Sequence, residues 1–297
     1  MAANYWNSTQ AQYWTFSRAS LAETRTGLQQ ANQQLYTKHS LPDIRHLSIY
    51  IQSQLIKISR RLMLRQQALA TAQVYIKRFY LRVPFAKTNP YLIMATAVYL
   101  ACKMEEYPQH IRLVLGEAVR QWPELAITET SKIGECEFAL ISTLESRLIV
   151  HHPYRALSEL QGIFGLTPEE CTLASTIIND SYNTDLPLLY APHIIAITAI
   201  FLAVVLRPVG QPAGLQAHSA IASVSGAAAQ SAMGGLPNLK QAGPKLGRLM
   251  DWLAESKVDM EAIVDATQEM VSLYECWEGY NERGCKETIT RFMRDGK

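Results

Sequence analysis

The chain has 297 residues, 48% of them hydrophobic and 18% charged, enough apolar material for a sizeable core and for two domains. A formal net charge of +2 without a long basic run gives no electrostatic reason to expect nucleic acid as a partner. The longest apolar run, Ile194 to Leu206, is too short to span a bilayer, and Met1 to Trp6 lacks the basic-then-apolar order of a secretory signal.

Residues 1–40 are polar and glutamine-rich, with aromatic residues that include Trp6, Tyr13 and Trp14. Tyr13 and Trp14 lie roughly two helical turns after Trp6, which predicts a short helix with an aromatic stripe, capped by Ser8 or Thr9. Such rings suit packing on the chain's own core as well as anchoring a partner. From Leu47 the pattern is a succession of helices. Ile51, Leu55, Ile58 and Leu62 form one apolar face, and Leu69, Ala72, Ile76, Phe79 and Tyr80 form the next.

The stretch Asn89 to Glu106 predicts a buried helix of about four turns, with Pro90 suited to its first turn. Ala95, Ala97 and Ala101 let neighbouring helices come close. Lys103 is out of place on this helix. It either snorkels to water at the helix C-terminus or meets a carboxylate or a partner's carbonyls. Leu113 to Trp122 is a short helical segment broken by Pro123. Thr128 opens a helix expected to run to about Leu148, with Ile133, Glu137, Leu140, Ile141, Leu144 and Leu148 on one side. Glu137 is therefore a second charge stranded on an apolar stripe. A carboxylate there needs a cation or several donors, and Lys103 is the obvious partner.

The adjacent His151 and His152 have no metal-ligand spacing. Thr167, Pro168 and Glu170 read as a capping box that opens a second domain, with helices near 168–183, 191–206, 245–254, 258–277 and 284–294. Residues 207–246 lose the apolar period to glycine, alanine, serine, proline and glutamine, and read as a disordered or loosely ordered insertion. Glu170, Asp180 and Asp185 read as surface or capping carboxylates. The five cysteines, Cys102, Cys136, Cys171, Cys276 and Cys285, form no CxxC pair and are odd in number, which points to a reducing compartment.

The chain also repeats itself. Pro192 to Val204 echoes Pro90 to Cys102 at an offset of 102 residues, with Thr96, Ala97, Leu100 and Ala101 matched by Thr198, Ala199, Leu202 and Ala203. Ala72, Ile76 and Tyr80 fall on Ala174, Ile178 and Tyr182 at the same offset, so a small helical domain reads as duplicated. Lys103 falls on Val205, as expected of a site grafted onto one copy. No nucleophile elbow, metal signature, Rossmann fingerprint or phosphate-binding loop is present. The balance favours an adaptor or regulatory subunit over an enzyme, with no cofactor, metal or small-molecule substrate.

Five ordered stretches carry a resemblance. They are Leu64 to Tyr80 with its Leu-Arg-Gln-Gln start, Tyr99 to Glu106, Glu135 to Phe138, Leu148 to Arg155, and Ile178 to Leu186. Together with the start of the chain, from Asn4 to Trp14, they make it resemble the cyclins, and within them the cyclin C type that partners the Mediator-associated cyclin-dependent kinase. The resemblance implies an all-α fold of tandem five-helix cyclin boxes: an arm at 1–40, a kinase-binding box at 41–160 and a second box at 161–297, interrupted at 207–246. It implies that Lys103 and Glu137 hold one another and bond to backbone groups beside the kinase's regulatory helix, inside an apolar surface that includes Leu100, Met104, Ile141 and Leu148. Trp6, Tyr13 and Trp14 would form a partner arm. A non-catalytic activating subunit follows, working in the nucleus with a serine/threonine kinase and other subunits of the Mediator kinase module on RNA polymerase II transcription. The competing reading is a non-kinase helical transcription adaptor of the general-factor type, which would carry a basic stripe.

Overall fold

The computed structural model describes residues 4–38, 41–125, 127–206 and 244–295. The expected insertion lies outside these residues, apart from its last three, which open a helix at Pro244. The described residues are helical with no strand. In chain order the helices are α1 (Thr9–Tyr13), α2 (Arg18–Ala31), α3 (Gln33–Lys38), α4 (Ile44–Arg61), α5 (Gln66–Tyr80), α6 (Pro90–Met104), α7 (Ile111–Gln121), α8 (Thr130–Thr143), α9 (Tyr154–Phe164), α10 (Pro168–Ser181), α11 (Leu186–Leu189), α12 (Pro192–Leu206), α13 (Pro244–Glu255), α14 (Met260–Glu278) and α15 (Glu282–Asp295). Both bounds of α6 recur in α12 at the offset of 102 residues read from the sequence.

The chain divides into two compact units, residues 1–151 with 280–297, and residues 152–279. In the first unit α6 is the central helix. Asn89 caps it by accepting from the N–H groups of Tyr91 and Leu92, Pro90 occupies its first turn, and the side chains from Ile93 to Val98 are all buried. Its alanines allow α5 and α8 to lie close on either side, and Tyr50 and Tyr91 share a buried hydroxyl hydrogen bond of 2.7 Å. Trp122 donates to Gln54 at 3.0 Å and stacks on Tyr91, which ties α4 and α6 to the end of α7.

The last helix, α15, belongs to this first unit, whereas the sequence pattern assigned it to the second. Cys285 and Ile289 are buried in the first core, Glu282 is held by Gln54 and Lys57, and Lys286 reaches Glu124 at 3.0 Å. An amphipathic helix carries a face to bury but no address. Partners already standing on α4 decide where it docks.

In the second unit α12 is the apolar centre, packed by α9, α10, α13 and α14, with Phe164 edge-on to Trp252 at 5.2 Å. The Thr167–Glu170 capping box forms as read. Two carboxylates expected to be surface or capping residues are buried, Glu170 while serving as the expected cap. Glu170 both caps α10 and binds Lys245 at 2.8 Å, and Asp180 accepts from the Tyr274 hydroxyl at 3.2 Å. Both positions depend on helices distant in sequence, which local reading does not see.

Candidate functional site

The charged pair singled out by the sequence is formed. Lys103 lies in the last turn of α6, which stops because Glu105 caps it and Glu106 takes a left-handed conformation, with φ of 52°. This leaves the ammonium at the rim of the core. It donates to both oxygens of Glu137 on α8, at 2.7 and 2.9 Å, and lies 4.2 Å from the ring centroid of Tyr99, one turn earlier on its own helix. The lysine side chain is 41% exposed and the glutamate 14%, so one face of the pair is open to water. Burial lowers the ammonium's pKa, but the bonds to Glu137 and Tyr99 outweigh it and raise the value above that of a free lysine. The pair is a charge-assisted contact with free N–H and carboxylate hydrogen-bonding capacity on its open face.

The four apolar residues expected around it fall into three classes. Met104 is exposed, Ile141 and Leu148 are half-buried against the first core, and Leu100 is buried in it. Leu148 is not on a helix as expected. The helix α8 ends at Thr143, and Glu145 and Ser146 follow in left-handed conformations, with φ of 54° and 57°. The chain then runs through Leu148 with its carbonyl accepting from the Tyr75 hydroxyl at 2.6 Å. No glycine or proline marks this turn, so the apolar spacing continued the helix on paper.

Two exposed apolar side chains escaped the sequence reading. Phe138 follows Glu137 directly and is 77% exposed, three residues before Ile141 on α8, and Ile149 is 59% exposed beside Leu148. A phenylalanine left in water beside a salt bridge was the available signal, because it falls off the buried stripe of α8. The three aromatic residues proposed as a partner arm separate: Trp6 and Tyr13 are exposed, but Trp14 is 1% exposed in the first core. Trp14 therefore leaves no face for a partner. Its indole lies over the guanidinium groups of Arg78 and Arg82, 5.1 and 4.6 Å from the ring centroid. Burial lowers the Arg78 pKa to about 10 against the raising influence of Tyr75 and Tyr5. Among the described residues no cluster could hold a metal ion, and no helix is long and apolar enough to cross a membrane.

Comparison with known proteins identifies the family. Residues 19–149, which include both of its members, match the family model described as the cyclin N-terminal domain. The chain is 52% identical over 299 aligned positions to an RNA polymerase II holoenzyme cyclin-like subunit of Emericella nidulans, covering 99% of this chain and 98% of the relative. This chain belongs to the cyclin family. A second relative of this cyclin, with the same name, from Gibberella moniliformis, is 47% identical with the same coverage. Solved structures agree on the fold. A chain of the CAK complex from Chaetomium thermophilum bound to ATP-gamma-S superposes with a TM-score of 0.64 at 19% identity, covering 98% of the cyclin and 87% of that chain. A chain of yeast TFIIK gives 0.58 at 18% identity, covering 91% of the cyclin and all of that chain.

Proposed function

We propose that this cyclin binds and activates a cyclin-dependent serine/threonine kinase of the Mediator kinase module and so regulates RNA polymerase II transcription in the nucleus. The observation that carries the reading is the Lys103–Glu137 pair, formed at the rim of the first core and followed in sequence on each side by an exposed apolar residue, Met104 and Phe138. In this reading the apolar side chains receive the kinase's regulatory helix, while the pair bonds to backbone groups beside it. That fixes the helix where its glutamate meets the catalytic lysine that holds the ATP phosphates. The cyclin contributes no reacting group. Its effect is to hold one of two kinase conformations, and it can shift that equilibrium only by its difference in affinity for the two.

The names of the relatives support a role with RNA polymerase II, and the five cyclin C-like stretches support the Mediator assignment. The adaptor reading draws no support from a net charge of +2. Purification of the endogenous protein through high salt, with identification of what stays bound, tests both levels. A kinase recovered together with other Mediator module subunits is the expected result. A kinase recovered with a different assembly removes the module assignment, and recovery without any kinase overturns the reading.

A further inference from the structure

The segment from Leu144 to His151 lies outside the helices that flank it, and two consecutive residues in it, Glu145 and Ser146, hold a backbone conformation that side chains disfavour. Something must hold it, and the contacts come from two directions. From α5, the Tyr75 hydroxyl donates to the Leu148 carbonyl at 2.6 Å and Arg78 Nη1 to the Arg147 carbonyl at 3.3 Å. One turn on, Arg82 Nη1 reaches the Thr143 carbonyl at 2.9 Å and the Glu145 carboxylate at 2.5 Å.

From the N-terminus, Gln10 makes a two-point clasp on the far end of the segment. The His151 N–H donates to Gln10 Oε1 at 2.6 Å, and Gln10 Nε2 donates back to the His151 carbonyl at 3.4 Å. A glutamine that is 3% exposed and spends both ends of its amide on one backbone residue is built into that position. Four residues on, Trp14 covers Arg78 and Arg82, and Tyr13 lies under the Arg147 guanidinium. Arg78 is fully buried, and its Nε and Nη2 have no hydrogen-bond partner, so the indole face and one carbonyl are what keep it in place.

We infer that residues Tyr5 to Thr15 are a positioning element for the kinase surface, with Gln10 as its centre. By clasping His151 while Trp14 and Tyr13 steady the arginines, they fix where Leu148 and Ile149 stand. Ile149 is exposed between two residues that pack on the core, so its direction is set by the backbone on either side. This inference rests on the kinase-binding reading above.

The test uses Gln10→Ala in the full-length chain. In the free cyclin, hydrogen exchange at the amides of residues 147–151 should accelerate about tenfold or more while α6 and α8 stay protected. Affinity for the purified kinase partner should fall about two- to tenfold, the scale of a lost neutral hydrogen bond. That fall should vanish in an Ile149→Ala background, because a positioning element acts only through what it positions. Unchanged exchange, or an equal loss of affinity in both backgrounds, overturns the inference. Lys103→Ala separates the two levels. If it abolishes binding while Gln10→Ala has no effect, only the arm's role falls; if the wild-type chain itself binds no kinase, the kinase reading falls and takes this inference with it.

Discussion

Replacing Lys103 by alanine removes the cation that holds both oxygens of Glu137. In the free cyclin the consequence should be small, because the ammonium is 41% exposed and ion pairs of that kind contribute at most about 1 kcal/mol. In the kinase complex the same pair would be desolvated, and a charge left there without its partner costs about 2 to 5 kcal/mol, a weakening of roughly 30-fold to several thousand-fold. The two regimes make the prediction asymmetric: a melting midpoint close to the wild type by circular dichroism, with a large loss of kinase affinity by titration calorimetry. The pH dependence has a definite sign. A lysine with a raised pKa contributes stability that is fully present below the unfolded value of about 10.4 and is lost as pH rises through the higher folded value, so affinity should not vary with this group across the neutral range. A folded variant that binds kinase as the wild type does would refute the assignment of the site.

Phe138→Ala should leave thermal stability within about 0.5 kcal/mol, since the ring is 77% exposed, but should cost about 1 to 3 kcal/mol of kinase affinity as an interface anchor; unchanged binding removes it from the surface. Leu100→Ala should behave in the opposite way, destabilising the fold by about 2 to 5 kcal/mol by denaturant titration, because the side chain is buried in the first core. Asp180 lies in the second unit, where burial raises its carboxyl pKa to about 7 while the Tyr274 bond lowers it in part. A carboxyl raised in this way contributes stability that is fully present below the unfolded value of about 3.9 and is lost as pH rises through the folded value. Asp180→Asn should therefore gain about 2 to 4 kcal/mol over the wild type between about pH 4 and about pH 8, and parallel stability curves for the two proteins would contradict this.

How much of this was legible in the sequence depended on whether the signal was local. The duplication was legible because the core faces of α6 and α12 repeat the same small and branched residues at a fixed spacing. The Lys103–Glu137 pair was legible because a charge on an apolar stripe violates the pattern around it, and two such violations can cancel only each other. The end of α8 was not legible. The turn there uses Glu145 and Ser146 in place of glycine, and the donors that stabilise it come from Tyr75 and Arg78 on another helix and from Arg82 just beyond its end. Trp14 and Tyr13 are neighbours in sequence with similar chemistry, yet one is buried and the other exposed, because only Trp14 meets Arg78 and Arg82 against the first core.

The return of α15 to the first unit means that this unit is encoded in two separated pieces, with the second unit between them. During synthesis the first unit's apolar surface for Cys285 and Ile289 stays open until the final helix leaves the ribosome, on the order of ten seconds after residue 151 is made. A product broken off before Tyr280 would carry the charged pair but an unfinished core, and would present sticky surface to chaperones and proteases. The helix α15 thereby makes a completed first core contingent on translation having passed through the whole of the second unit.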